Sequence, residues 1–408
     1  MNENKSLKLK IILVTVSCLA AVSFPLGFYA GSHTEAAQIK IFSNLINTTS
    51  EDSQTDFNLF WDAWKLLREN YLRSDQVSDQ KMVYGAIRGL AEGMGDKYTT
   101  YFDPEEAKQF SETINGEFGG IGAELESQNG YVIVVAPLKG TPAEAVGMKA
   151  KDVIVKIDGK DVTGENLNDV VKNIRGEAGS KVKITVLREG VGSLDFNITR
   201  AIIKVPAIKY ETKGNIGYIK IASFTPKTSE EFAKAISDLF GNKKVSGLVI
   251  DLRNNPGGYL DTAVKLAGWF LPKNSLVVSE RYSSGNSIEL RSDGMGVLKN
   301  VPTVVLVNNG SASASEILAG ALHDINGTKL IGEKTFGKGT VQELKELSDG
   351  SMLKITIANW VTPGGVIIDK EGIKPDVETK NPESKDNKTE PKDLQLEKAV
   401  EIVKGMIK

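Results

Sequence analysis

Hydrophobic and polar positions change their period several times along the chain. Ile11 to Ala30 is an uncharged run, preceded by Lys5, Lys8 and Lys10. As a helix its 20 residues would extend about 30 Å, enough to cross a bilayer. The lysines predict a single-pass cell-membrane anchor with a cytoplasmic N-terminus and an extracytoplasmic remainder. The rival is a cleaved signal segment and a secreted product. The length of the run, and Phe28 two residues before Ala30, favour the anchor. After a polar tether, Phe57, Phe60, Trp61, Trp64, Leu67 and Tyr71 recur at helical spacing, as do Met82, Ala86, Ile87, Leu90 and Met94. The aromatic face reads as packing surface rather than a ligand groove. Asp103-Pro104-Glu105-Glu106 starts a further helix, with a cap, a proline at the first helical position and a capping-box acid.

Beyond Gly116 the period shortens. Strands are expected at Tyr131 to Ala136, Asp152 to Ile157 and Lys181 to Arg188, with short helices opening at Thr141-Pro142 and running from Leu167 to Ile174. The turn Gly119-Gly120-Ile121-Gly122-Ala123 lacks the preceding strand and long following helix of a dinucleotide fingerprint. From residue 204 strands and helices alternate. Strands are read at Ile216 to Phe224, Val245 to Leu252, Val301 to Val307 and Met352 to Thr362. Helices are read at Ser229 to Phe240, Tyr259 to Phe270 and Glu316 to His323. This alternation argues an α/β core with sites beyond the carboxyl ends of its strands. A charged, proline-flanked linker then leads to Leu394, Leu396, Ala399, Val400, Val403, Met406 and Ile407, one face of a last helix that docks on its own chain or on a second subunit. The expected plan is multidomain: 1–31 lysines and anchor, 32–112 tether and helical region, 113–203 an inserted β domain, 204–380 the α/β core, and 381–408 linker and amphipathic helix.

Composition removes several chemistries. The formal net charge is −2, so nothing favours nucleic acid as a partner. Cys18, the one cysteine, lies in the apolar run, which excludes disulfides within the chain and a catalytic thiol beyond it. With two histidines, His33 and His323, a histidine-rich metal site is excluded, and no loop offers ligands for a hard cation. No cofactor and no metal are expected.

What remains is hydroxyl chemistry. Asn308 to Ile317 joins a buried strand to a helix through Gly, Ser and Ala, which leaves free N–H groups at a helix N-terminus where negative charge is stabilised. A serine there is a nucleophile if a base reaches it. Ser313-x-x-Glu316 is equally a capping box, so two readings stand. His323 follows Ser313 by 10 residues, about 15 Å along one helix, too far to be its base. A histidine-free serine hydrolase uses lysine. The amine must be neutral, so its pKa must fall by about 3 from about 10.4, at a cost of about 4 kcal/mol; burial supplies such shifts. Lys338, between Gly337 and Gly339 and near Phe336 and Val341, is the candidate, and a surface lysine in a glycine turn is the plainer alternative.

Asn309 to Glu316 and Thr335-Phe336-Gly337-Lys338-Gly339-x-Val341-Gln342 resemble the tail-specific, or carboxyl-terminal processing, serine peptidases. Asp251-Leu252-Arg253-x-Asn255-Pro256-Gly257-Gly258, Thr362-Pro363-Gly364 and Gly95-Asp96-x-Tyr98-Thr99 match other segments of that family, over roughly 80–380. The resemblance implies Ser313 as nucleophile, Lys338 as general base, Gln342 as the residue orienting the lysine, and an oxyanion hole from Ala314 N–H with Gly257 or Gly258. Asn254 departs from the pattern, which has glycine after the arginine. The β domain resembles a PDZ domain. By that resemblance Gly120, Ile121, Gly122 and Ala123 cradle a peptide's C-terminal carboxylate. The implied function is an endopeptidase acting on exported polypeptides with a free C-terminus, with the terminal helices open to homo-oligomer formation. The alternatives are an inactive membrane-anchored PDZ scaffold and a Ser-Lys esterase or amidase for small molecules. Glu316 and Asp324 read as structural.

Overall fold

The structure is a computed structural model and describes residues 56–382 and 392–407. The anchor expected over Ile11 to Ala30 lies outside the described residues. Among those described, no helix is long and apolar enough to cross a membrane. The chain divides into two units, Met1–Asp79 and Gln80–Lys408.

In the first unit, helix α1 (Asn58–Asn70) follows the predicted spacing, yet none of its residues is buried. Phe60, Trp61 and Trp64 pack on one another with ring centroids 5.0–6.1 Å apart.

Helix α2 (Asp79–Glu92) leads into the second unit, followed by β1 (Thr100–Phe102) and α3 (Pro104–Ile114). The predicted capping box is present at α3: Glu106 N–H donates to Asp103 Oδ1 (2.9 Å) and Asp103 N–H to Glu106 Oε2 (3.1 Å). The β domain begins with β2 (Glu117–Gly120), β3 (Ala123–Gln128) and β4 (Tyr131–Pro137). Next come α4 (Pro142–Ala145), β5 (Val153–Ile157), β6 (Lys160–Asp161), α5 (Leu167–Ile174), β7 (Lys181–Arg188), β8 (Gly192–Thr199) and β9 (Ala201–Lys204). Its sheet runs β3-β4-β5-β7-β8, with β3 at an open edge. Strand β7 shows why it folds so: Val182, Ile184 and Val186 alternate inward and are buried, while Lys181 and Lys183 face water. Strands β2 and β9 pair antiparallel, so the chain enters and leaves this domain side by side, as an insertion.

The core comprises β10 (Ile208–Lys213), β11 (Ile216–Ile221), α6 (Thr228–Ser237), β12 (Gly247–Asp251), α7 (Leu260–Phe270), β13 (Leu276–Tyr282), β14 (Ser287–Arg291) and β15 (Thr303–Val307). It continues with α8 (Ala314–Asn326), β16 (Lys329–Gly332), β17 (Thr340–Glu346), β18 (Met352–Val361), β19 (Val377–Glu378) and α9 (Leu394–Met406). The main sheet runs β10-β11-β12-β15-β16-β19, parallel except for β10. Every residue of β12 and β15 is buried, as expected of parallel strands covered on both faces. Val305 and Leu330 share a cluster with Phe232, Leu266 and Leu318 of α6, α7 and α8, while Val304 and Leu306 meet Ala399 and Val403 of α9. The last helix therefore docks on its own chain, the choice that its pattern had left open. A second sheet runs β1-β18-β13-β14, with β17 also on β18.

Candidate active site

Ser313 ends the turn between β15 and α8, at φ 54° and ψ −117°. This is a sparsely populated conformation for a residue with a Cβ, so the surroundings must hold it. They do so through small, buried hydroxyls. Ser311 Oγ donates to Leu252 O (2.7 Å), Ser315 Oγ to Asn255 O (3.0 Å), and Ala312 N–H to Asn255 O (3.0 Å). The serine turn is thereby fastened to the turn after β12, the neighbouring strand end.

That second turn explains the unusual asparagine. Asn254 has φ +58°, a left-handed position that glycine favours and asparagine tolerates. Asn308 fixes it: Asn254 N–H donates to Asn308 Oδ1 and Asn308 Nδ2 to Asn254 Oδ1, both at 2.8 Å. Gly257 (φ +105°) lies so close to the serine turn that a Cβ would stand 2.8 Å from Ser313 Cβ and from Ala312 O. Its N–H is occupied by Asn255 Oδ1 at 2.9 Å. Ala314 N–H and Gly258 N–H meet no acceptor among the described residues.

Lys338 arrives from the other sheet, in the loop before β17. Its N–H and Ser313 N–H donate to one oxygen, Glu316 Oε2, at 3.1 and 2.9 Å. The two backbones are thus no farther apart than those two bonds laid end to end. The ammonium of Lys338 rests 5.3 Å from the centroid of the Tyr98 ring, and among the described residues no hydrogen bond joins it to Ser313. Burial, then the positive charge of Lys354, push the amine below the usual lysine range; Glu316 opposes both. Lys354 is itself lowered by burial and sits over the rings of Phe102 and Phe110 at 5.4 and 5.5 Å. Gln342 lies on strand β17, not on a helix turn shared with Lys338, and its Nε2 donates to Thr340 O (3.0 Å) and Thr340 Oγ1 (2.6 Å).

His323 stands apart from this chemistry. Its Nδ1 is 2.8 Å from Asp324 Oδ1 and its Nε2 3.6 Å from Asp376 Oδ2. In the β domain, Gly122 has φ +76° and would place a Cβ inside Thr141, so only glycine suits the loop. The N–H groups of Ile121 and Gly122 meet no acceptor among the described residues, and the loop opens onto the free edge strand β3. The sequence reading missed Tyr98, Lys354 and the reach of Glu316. Tyr98 stood in a matched motif, but nothing local tied it to Lys338.

Three family models match the chain. Residues 215–379 match peptidase family S41, 119–198 the PDZ domain, and 22–106 the N-terminal domain of the activating protease CtpB. The carboxy-terminal processing protease CtpA of Bacillus subtilis is 43% identical over 322 residues, covering 79% of this chain and 68% of that protein. Among solved structures, the photosystem II D1 C-terminal processing protease is 34% identical with a TM-score of 0.50, covering 78% of this chain and 87% of that one.

Proposed function

This chain belongs to peptidase family S41 and is a serine-type peptidase with a PDZ domain, and from that premise we propose a Ser313–Lys338 endopeptidase acting on polypeptides with a free C-terminus. One observation carries the assignment of the pair: residues 25 positions apart in sequence donate their N–H groups to the same carboxylate oxygen.

The peptide end lies along β3 as an added strand, its carboxylate in the loop Gly120 to Ala123. The scissile carbonyl sits over Ser313. Neutral Lys338 takes the hydroxyl proton as Oγ bonds to the carbonyl carbon, and the oxygen becomes an anion held by Ala314 N–H. Gly258 N–H is the second donor, since Asn255 already engages that of Gly257. The lysine then gives its proton to the leaving amine as the C–N bond breaks. Water, deprotonated by the same amine, releases the acyl group. For this, Lys338 must leave the Tyr98 ring and meet Ser313, with Gln342 turning from Thr340 to orient it. Arrival of substrate at the PDZ domain supplies that change. Ile11 to Ala30 anchors the enzyme, so its substrates are exported polypeptides. Of the terminal helices, α1 keeps an exposed apolar face for a second copy, whereas α9 is occupied.

The test compares wild type, Ser313→Ala and Lys338→Ala on an unstructured polypeptide with a free or amidated C-terminus. Both variants should lose cleavage by about 10⁴-fold or more with folding intact, and amidation should raise KM. A Lys338→Ala protein cutting at the normal rate rules out the lysine as base. A wild type that cuts no polypeptide favours the scaffold.

A further inference from the structure

Glu316 is fully buried, yet among the described residues no lysine, arginine or histidine pairs with it. Its carboxyl group accepts four hydrogen bonds. Oε2 takes Ser313 N–H and Lys338 N–H; Oε1 takes Gly337 N–H at 2.7 Å and the Thr335 hydroxyl at 2.6 Å. Backbone N–H groups only donate, so both oxygens serve as acceptors; burial pushes the carboxyl above its usual range, and these four bonds pull it back toward the ionised form. Thr335 Oγ1 in turn accepts from Ile373 N–H at 2.7 Å, so one carboxylate fastens three segments.

An unpaired buried carboxylate is an expensive way to cap a helix. Serine or asparagine caps one without moving a charge out of water. Ordinary capping therefore accounts for the Ser313 bond alone, and not for the three bonds to 335–338. Those three run to the segment that carries the lysine, and the fourth holds the residue with the strained φ.

We propose that Glu316 is a positioning residue: its carboxylate holds the Ser313 turn and the entry to Lys338 at one fixed separation, so that hydroxyl and amine can meet. This rests on the reading of Ser313 and Lys338 as nucleophile and base. The same charge acts on the lysine. Tyr98, Lys354 and Glu316 are the groups that face Lys338 from the loop before β1, from β18 and from α8, and Glu316 alone among them brings negative charge. An anion beside the amine favours its ammonium form, so removing the anion makes Lys338 neutral at lower pH.

The experiment measures kcat and KM against pH for the full chain, with rates normalised by fluorophosphonate titration of Ser313. In Glu316→Gln one acceptor oxygen becomes an NH2 group facing N–H donors. We expect kcat to fall about 10²-fold, the scale of a lost active-site hydrogen bond, with KM little changed. The ascending limb of the pH profile should move to lower pH. Glu316→Asp keeps the charge and loses reach, so kcat should fall with the limb in place. A purely structural role would lower the titratable fraction and leave kcat per site and the limb unmoved. If Glu316→Gln retains both while Ser313→Ala and Lys338→Ala are inactive, the positioning role is wrong and the dyad stands. If Lys338→Ala remains active, the dyad itself fails and the positioning role falls with it. Should Glu316→Gln not fold, Thr335→Val removes a single donor from the carboxylate; a fall of about 5-fold in kcat per titrated site supports the proposal, and no fall overturns it.

Discussion

The serine turn and the lysine loop reach the same spot by opposite physical routes. Around Ser313, β12 and β15 are wholly buried, and hydroxyl and amide hydrogen bonds tie the two strand ends together. Around Lys338 the backbone is held by the Glu316 carboxylate together with bonds from Phe336 N–H to Ser311 O (3.0 Å) and from Lys370 N–H to Gly337 O (2.9 Å), Gly337 has φ +83°, Phe336 is exposed, and the amine rests on an aromatic ring. On the proposed assignment the nucleophile is preorganised and its base is not yet engaged. A protease that must not cut at random is safest controlled at the movable partner. Regulation through the PDZ domain should therefore act on the lysine side.

Five substitutions would break or sharpen this contrast. The largest effect is expected on the rigid side. Gly257→Ala forces a Cβ against Ser313 at a backbone angle that alanine avoids. A misplacement near 1 Å costs about 10² in rate, and with the strain we expect about 10³ in kcat, read by steady-state kinetics. An unchanged kcat would show that the turn yields freely.

Next is the latch between this turn and α9. Arg253 pairs with buried Asp251 and with Asp393, which caps α9. Arg253→Ala should destabilise the fold by about 3 kcal/mol in urea unfolding, because it leaves Asp251 buried without its cation. Burial raises the Asp393 carboxyl, but hydrogen bonds from Arg253 and Leu396 N–H outweigh it and hold the group at about 2. A depressed carboxylate contributes stability above its ordinary pKa and loses it as pH falls. The latch should thus weaken between about pH 4 and pH 2, and Asp393→Asn should remove that part of the acid transition.

Smaller changes belong to the movable side. Gln342→Ala should lower kcat about 10-fold if the amide orients the lysine; a rate equal to wild type would leave it a partner of Thr340 only. The smallest effect concerns pH. Since Lys338 is held below the usual lysine range, activity should rise with pH on a limb below that range. Lys354→Met removes a neighbouring cation, so the amine keeps its proton longer and the limb should move up, opposite to the shift expected for Glu316→Gln. A limb that stays in place would separate Lys354 from the site.

The alternation of buried runs and helical faces was enough to place β12, β15, α7 and α8, because each pattern records one element meeting its neighbours. The serine turn was legible for the same reason: strand, small residues and helix start are consecutive. The capping box and the proposed nucleophile are compatible, since Glu316 serves the N–H of Ser313 and the lysine loop at once. At α1 the spacing gave the helix but not the cover of its aromatic face, which is exposed among the described residues, because periodicity records an amphipathic surface and not what covers it.

By itself the sequence determined the domain order, the layered α/β core and the residue types left for hydrolysis once thiols and histidines were removed. All of these follow from local spacing or from composition. Only the tertiary structure decided that Asn254 is supported by Asn308, that α9 covers its own sheet, that Tyr98 receives the lysine, and that a carboxylate on α8 links two distant segments. Each of those depends on groups far apart in the chain being brought within a hydrogen bond or a ring's width, and no local pattern encodes such a distance.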